Sequence, residues 1–301
     1  MYSLSTVWNV NRSHSLIALI EEIKSLGFSS MEINFTFPQS LLAELKANKN
    51  LIKVSSVHNY CPALESTYPK IKEAFSLAAI DEEERALAVK HTKISMDNAL
   101  SLGAKVLVVH LGQVEIICRY REFINLFFKP DPQAKKQAEE VKKIYFREIA
   151  EKRDKHFSQV LKSVEEINSY AVKQNIQIGM ENRFYPREFP NIDEIDLILK
   201  KFKGGNIGYW HDVGHAQVRE NVGLEKHEEY LKRYAPFMIG IHLHDVLKGQ
   251  DHKPPSLGEF DFKRLIPFLK KDIIRVLEIH NIFSAAEVRK GHEFITSCLA
   301  E

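Results

Sequence analysis

The chain has 301 residues, of which 44% are hydrophobic and 27% are charged, and its formal net charge is +2. This composition is typical of a soluble globular protein with a sizeable core, and the near-neutral charge gives little support to a nucleic-acid partner. No apolar stretch approaches the roughly 18 residues of a membrane span, and the start of the chain lacks the pattern of a signal peptide. The three cysteines are widely spaced, which is typical of a protein in a reducing compartment. Together these features predict a cytoplasmic protein without a membrane anchor.

Short apolar runs alternate with helical patterns along most of the chain. The predicted strands are 2–7, 28–35, 52–58, 106–110, 176–181, 207–212, 239–245 and 273–278. The predicted helices are 16–26, 41–47, 81–102, 133–152, 157–172, 192–201, 224–234, 262–269 and 285–299. Eight strands with helices between them predict an α/β protein, a single-domain (β/α)8 TIM barrel over residues 1–301. A doubly wound sheet is the alternative, but no glycine-rich dinucleotide fingerprint follows any strand.

The segment 115–155 exceeds what a barrel needs between its fourth strand and the following helix. It is dense in charge, has an aromatic centre at Phe123, Phe127 and Phe128, and is interrupted by Pro130 and Pro132. Long insertions after barrel strands often cover the active site. We therefore predict a helical insertion that is a candidate lid, with a solvated helical hairpin as the alternative.

Most of the apolar runs in the predicted strands stop on a side chain that can bind a metal. These residues are His110, Glu181, Asp212, His242 and Glu278, with His58 as a weaker sixth case. An imidazole or carboxylate at a buried strand end is costly unless it is paired or bound to a cation. In a barrel the carboxyl ends of the strands meet on one face, so we expect these side chains to form one polar site.

Four of these residues are the predicted metal ligands. They are Glu181, Asp212, His242 and Glu278. Carboxylates combined with an imidazole favour a divalent cation of intermediate hardness, such as Mn²⁺, Zn²⁺ or Co²⁺. A salt-bridged strand end is the alternative for any one of the four, but it accounts poorly for all of them together.

The motifs around these residues carry a family resemblance. They are Glu181-Asn182-Arg183, His211-Asp212-Val213-Gly214-His215-Ala216, His242-Leu243-His244-Asp245 and Leu257-Gly258-Glu259. They resemble motifs of the xylose-isomerase-like TIM-barrel superfamily, which holds sugar and sugar-phosphate isomerases and epimerases and the endonuclease IV type of apurinic-site nuclease. The resemblance implies one metal held by a ligand from each of the last four strands, the same four residues as above.

The nuclease branch of the superfamily adds ligands for a cluster of three zinc ions. By motif position these would be His58, His110, His215 and an Asp-x-His pair. This chain has an adjacent pair instead, Asp251-His252. Asp251 and His252 are therefore only candidate additional ligands. Related isomerases keep histidines near these places for substrate hydroxyls.

Several residues are accordingly predicted to contact a substrate rather than a metal. They are His58, His110, His215 and Arg183, the last as a partner for an anionic group or, alternatively, as a surface charge. The aromatic residues Trp8, Phe35, Phe184 and Trp210 are candidates for a sugar-stacking wall or, alternatively, for core packing.

The predicted function follows from this ligand set. A metal that binds a carbonyl and the adjacent hydroxyl acidifies the carbon-bound proton, and Glu181 and Glu278 could transfer that proton as a pair through an enediolate. We predict an isomerase or epimerase that acts on a small sugar, a sugar phosphate or a related hydroxy-carbonyl compound, in a barrel that could form homo-oligomers. The alternatives are an endonuclease IV-like zinc-dependent phosphodiesterase acting at apurinic sites and a barrel that binds a ligand without catalysis.

Overall fold

Eight parallel strands close into a barrel in the computed structural model, which describes residues 1–13, 15–64 and 75–300. In chain order the strands are β1 (Tyr2–Ser5), β2 (Ser30–Ile33), β3 (Lys53–His58), β4 (Val106–Val109), β5 (Gln177–Glu181), β6 (Ile207–Asp212), β7 (Met238–Leu243), β8 (Asp245–Leu247), β9 (Gln250–Lys253) and β10 (Ile274–Leu277). Strands β1 to β7 follow one another around the barrel, and β10 closes it between β7 and β1. Strands β8 and β9 form a separate antiparallel hairpin. The predicted TIM barrel is confirmed.

The helices lie around the barrel and between its strands in the chain. They are α1 (Leu16–Ser25), α2 (Gln39–Ala47), α3 (Glu82–Ser101), α4 (Tyr120–Phe127), α5 (Pro132–Gln174), α6 (Ile192–Lys201), α7 (Val213–Asn221), α8 (His227–Tyr234) and α9 (Ala285–Cys298). Short 3-10 segments cover Thr6–Trp8, Ala235–Phe237 and Phe262–Phe268. Local signals explain several helix starts. The Asp81 carboxylate accepts a hydrogen bond from Glu84 N at the start of α3, and α6 and α9 begin with capping boxes.

Strand β4 shows why a barrel strand can have a continuous apolar sequence. Successive side chains of a strand point to opposite faces of the sheet. Val106 and Val108 belong to a small cluster inside the barrel with Trp210 and Val276. Leu107 and Val109 belong to the main core between the strands and the helices. Because both faces are buried, no polar alternation remains in the sequence.

Trp210 fills the barrel interior directly below the strand ends. A Cβ at Gly240 would lie 2.0 Å from the Trp210 ring, so only glycine leaves room for the indole there. The indole also lies 5.2 Å from the His242 ring, in an edge-on orientation. The tryptophan thus closes the floor under the residues that were predicted to bind a metal.

Some predicted elements differ from the structure. The helices predicted at 133–152 and 157–172 are parts of one helix of 43 residues, α5, because no glycine or proline follows Pro132 within it to break it. Helix α7 was not predicted, since it is short and lacks apolar periodicity. It begins where the Asp212 carboxylate accepts a hydrogen bond from His215 N at 2.7 Å.

The later part of the chain also departs from the predicted element bounds. The strand predicted at 239–245 ends at Leu243, and the hairpin of β8 and β9 follows it. The helix predicted at 224–234 begins only at His227. The segment predicted as a helix at 262–269 is a 3-10 segment that contains Pro267.

Candidate metal centre

The four predicted metal ligands lie together at the carboxyl end of the barrel. Glu181 ends β5, Asp212 ends β6, His242 lies near the end of β7, and Glu278 directly follows β10. All four are buried. Each offers one ligand atom within 4.8 Å of the others. We refer to these four residues as the central group.

His242 is the residue on which the central group converges. Its Nδ1 lies 3.1 Å from Glu278 Oε2 and 3.3 Å from Glu181 Oε1. The same nitrogen lies 3.6 Å from Asp212 Oδ2. A single N–H can satisfy only one of these three carboxylates, whereas a divalent cation can bind all three and the nitrogen. The donor set therefore fits a metal.

Glu32, which the sequence reasoning missed, lies on the other side of the same imidazole. Its carboxylate oxygens are 3.1 and 3.2 Å from His242 Nε2, and Glu32 Oε2 also accepts a hydrogen bond from Ser56 Oγ at 2.8 Å. Metal-binding histidines commonly donate their second N–H to a carboxylate in this way. The available signal was a lone carboxylate inside an apolar strand, between Met31 and Ile33.

The carboxylates of the central group stay ionised in this environment. Burial alone would raise the pKa of Asp212, but His215 and His244 hold it well below its ordinary value. Burial would likewise raise the pKa of Glu278, but His242 and His252 hold it low. For His242 the opposite balance applies: burial lowers its pKa, but Glu278 and Glu32 raise it well above the ordinary value. The group therefore carries concentrated negative charge, which favours a cation.

The predicted substrate residues His58, His110 and Arg183 surround the outer oxygen of Glu181. Glu181 Oε2 lies 2.7 Å from His110 Nε2, 3.4 Å from His58 Nε2 and 3.1 Å from Arg183 Nη1. The two histidines and Glu181 could together hold a metal ion. Because burial and the Arg183 charge dominate, the pKa of His110 is lowered to about 3.

His215, Asp251 and His252 form a third group that could hold a metal ion. His215 Nδ1 lies 3.0 Å from the carbonyl oxygen of Asn182 and donates to it, which leaves Nε2 free to bind a ligand. That Nε2 lies 3.9 Å from Asp251 Oδ2. Among the described residues, His252 Nδ1 is buried without a well-formed hydrogen bond.

The adjacent residues Asp251 and His252 both point into the site, although neighbours in a regular strand point to opposite faces. His252 has a positive φ of 56°. This left-handed backbone breaks the alternation, so that both side chains contribute to the same group. His252 also lies 3.5 Å from Glu278 Oε2, which links the third group to the central group.

His244 is a further residue that the sequence reasoning did not assign to the site. Its Nδ1 accepts a hydrogen bond from His252 N at 2.8 Å. Its Nε2 therefore carries the proton and donates to the Asp212 carboxylate, whose oxygens lie 3.0 Å away. His244 thus orients Asp212 and has no nitrogen left for a metal.

A family comparison agrees with this fold. The model of the family described as xylose isomerase-like TIM barrel matches residues 20–298. The chain belongs to this family.

Three individual proteins that resemble this chain share between 13% and 24% sequence identity with it. An uncharacterized protein of Methanocaldococcus jannaschii, MJ1311, is 24% identical over 220 residues, which cover 71% of this chain and 64% of that protein. The match thus spans less than two thirds of the relative's length. Among solved structures, a D-tagatose 3-epimerase-like protein has a TM-score of 0.69 at 18% identity, covering 99% of this chain and 97% of that chain. An L-ribulose 3-epimerase also has a TM-score of 0.69, at 13% identity, with coverage of 100% and 94%.

In this xylose isomerase-like barrel the insertion over 115–155 packs against residues that follow β5 and against the hairpin of β8 and β9. Tyr120 and Phe123 of α4 and Tyr145 of α5 are buried in a second apolar cluster, together with Phe184 after β5 and Val246 of β8. The insertion therefore contacts the hairpin that holds Asp251 and His252. Among the described residues, no helix combines the length and apolar character that crossing a membrane requires.

Proposed function

We propose that this barrel is a divalent-metal-dependent isomerase or epimerase of a small sugar, a sugar phosphate or a related hydroxy-carbonyl compound. The observation that carries the proposal is the pair of carboxylates, Glu181 and Glu278, that face the same His242 nitrogen at 3.3 and 3.1 Å. The similar folds of an L-ribulose 3-epimerase and a D-tagatose 3-epimerase-like protein support it.

The central group would hold Mn²⁺, Zn²⁺ or Co²⁺. A bound cation would polarise a substrate carbonyl and the adjacent hydroxyl, which acidifies the proton on the carbon beside the carbonyl. One carboxylate of the pair takes that proton and leaves an enediolate, and a carboxyl group of the pair returns a proton to it. Return to the neighbouring carbon, with the hydroxyl proton passing to the former carbonyl oxygen, gives an isomer. Delivery to the other face of the same carbon by the second residue, which must enter the cycle as the carboxylic acid, gives an epimer. We assign these proton transfers to Glu181 and Glu278.

The substrate would lie between the central group and the solvent. His110 is the most accessible of its predicted contacts, with one third of its side chain exposed. Phe35 is 45% exposed, and its ring centroid lies 5.6 Å from that of His58 and 6.5 Å from that of His110. We propose that this aromatic side chain packs against the apolar face of a sugar, while His58, His110 and His215 bind its hydroxyls.

We also propose that the insertion over 115–155 covers the bound substrate. Its buried aromatic side chains fix α4 to α5, so that any motion would carry the two helices together. We expect substrate to slow amide hydrogen exchange in this segment more than in α1. Equal exchange with and without substrate would contradict a cover.

We also propose a cytoplasmic location for this protein.

Deuterium exchange tests the proposed reaction. The metal-loaded protein would be incubated in D₂O with a panel of ketoses, aldoses and their phosphates, and deuterium at the carbon beside the carbonyl would be measured by mass spectrometry. We expect incorporation or conversion for at least one compound, and a loss of at least about a hundredfold in Glu181→Gln and Glu278→Gln. Glu151→Gln, which changes an exposed carboxylate of α5, is the matched control and should leave the rate unchanged.

A second candidate function is a zinc-dependent phosphodiesterase of the endonuclease IV type. The observation in its favour is that the central group adjoins the two other ion groups described above: it shares Glu181 with one of them, and His252 of the other lies close to Glu278. Cleavage of a duplex carrying an abasic site distinguishes the two functions. Cleavage at enzymatic rates, without exchange or conversion of any sugar, would overturn the isomerase proposal.

A further inference from the structure

We propose that Arg183 is a built-in cation that holds the position beside Glu181 where a further metal ion would otherwise bind, and so reserves His58 and His110 for substrate. The inference rests on the proposed function, because it concerns the number of ions around the central group. It predicts that no ion binds at His58, His110 and Glu181 in this protein.

The two oxygens of Glu181 face opposite sides of the site. Oε1 faces the central group, 3.3 Å from His242 Nδ1. Oε2 faces away from it, towards His110 and Arg183. The carboxylate is thus placed to bridge two positive charges, and the charge on its outer side is a guanidinium rather than a metal.

The guanidinium occupies the space between the candidate ligand atoms. Arg183 Nη1 lies 3.1 Å from Glu181 Oε2 and is in direct contact with His110 Nε2. An ion bound to these two atoms would meet that nitrogen at close range. It would also be repelled by a charge that stays on arginine at any ordinary pH.

Arg183 is also fixed in place from behind. Its Nη2 donates to Glu188 Oε1 at 3.1 Å, and the other Glu188 oxygen accepts a hydrogen bond from Tyr185 N at 2.9 Å. Arg183 is only 8% exposed. Moving the guanidinium aside would leave the buried Glu181 carboxylate and the partly buried Glu188 carboxylate without this counter-charge, which is unfavourable.

Metal counting on untagged protein tests this inference. The protein would be equilibrated with Zn²⁺, freed of excess ion and analysed for zinc per chain. We expect the double variant Arg183→Met/Glu188→Gln, which removes the guanidinium and its partner together, to bind one more zinc ion than the wild type. Adding His110→Ala to that variant should remove the extra ion. Arg183→Lys, which keeps a cation, and Arg187→Met, a control at a neighbouring arginine, should leave the count unchanged.

A single substitution keeps the test valid if the double variant does not fold, as judged by near-ultraviolet circular dichroism. In the otherwise wild-type protein, His110→Ala should leave the zinc count unchanged. Loss of an ion in that variant, or no extra ion in a folded double variant, would overturn the inference. Failure of the proposed function would give a different result. The wild type would then bind no zinc, or His242→Ala would bind as much zinc per chain as the wild type.

Discussion

The Glu32 carboxylate contacts Nε2 of His242 through both of its oxygens, at 3.1 and 3.2 Å, although the two residues are 210 positions apart in the chain. This contact would hold the proton of the imidazole on Nε2 if Nδ1 binds the proposed metal. The lone pair of Nδ1 is then directed at the space between Glu181, Asp212 and Glu278. An unassigned acidic residue of β2 thus sets the orientation of a proposed ligand on β7.

Glu32→Gln should weaken metal binding at the central group by about tenfold to a hundredfold, because loss of an outer carboxylate makes the histidine a poorer ligand. Competition with a chelator of known affinity measures the effect, and the visible spectrum of the Co²⁺ form should change with it. Ser56→Ala removes the other contact of Glu32 and should have a smaller effect. Unaltered affinity in Glu32→Gln would show that the contact is only structural.

His215→Ala should raise the KM for the sugar by about tenfold, the loss expected for one hydrogen bond to a substrate hydroxyl. The metal content should stay the same, since His215 is not part of the central group. Steady-state kinetics and elemental analysis of the same preparation make the comparison. A drop in metal content would instead assign His215 to a second ion with Asp251 and His252.

Gly249→Ala should displace the hairpin of β8 and β9. A Cβ at this position would lie 2.3 Å from Ile124 Cγ2 of α4, so the hairpin must move, and Asp251 and His252 with it. We expect weaker sugar binding with little change in the affinity of the central group for metal. Ile124→Ala removes the clashing atom and should restore sugar binding to Gly249→Ala, as a double-mutant cycle would show.

Cys61 should resist alkylation near pH 8. Burial raises the pKa of its thiol to about 12, so that roughly one molecule in ten thousand is a thiolate at that pH. Its backbone is held to α3, where Cys61 N donates to Ser95 Oγ and Asn98 Nδ2 donates to the Cys61 carbonyl. Mass spectrometry after iodoacetamide treatment should find Cys118 modified well before Cys61. Equal rates in folded protein would mean that the loop after β3 opens readily.

The sequence was informative about the barrel because the decisive signals are local. The run Val106 to Val109 is apolar on both faces, and most other strands contain shorter apolar runs between helical patterns, so length and composition identified the strands. Helix α7 escaped prediction because its start depends on the Asp212 side chain, which also belongs to the site. The length of α5 is set by the absence of any breaker before Asn175, where the backbone becomes left-handed with φ 53°.

The site was predictable where a ligand ends a strand or belongs to one of the family motifs. Glu32 and His244 act through contacts to residues far away in the chain, and no spacing in the sequence reveals such contacts. The pair Asp251-His252 departed from the family spacing, and its fit depends on the left-handed backbone of His252, which the side-chain pattern does not encode. The position of Arg183 against His110 is likewise a result of tertiary packing.

Trp210, on the floor of the barrel, gives the protein an intrinsic optical probe. The chain contains only one other tryptophan, Trp8, whose indole donates a hydrogen bond to the Phe283 carbonyl. In a Trp8→Phe variant all tryptophan emission would come from the ring 5.2 Å from His242. Open-shell ions such as Co²⁺ should quench that emission when they bind to the central group, whereas Zn²⁺ should not. Fluorescence titration could therefore follow the binding of ions close to the floor of the barrel.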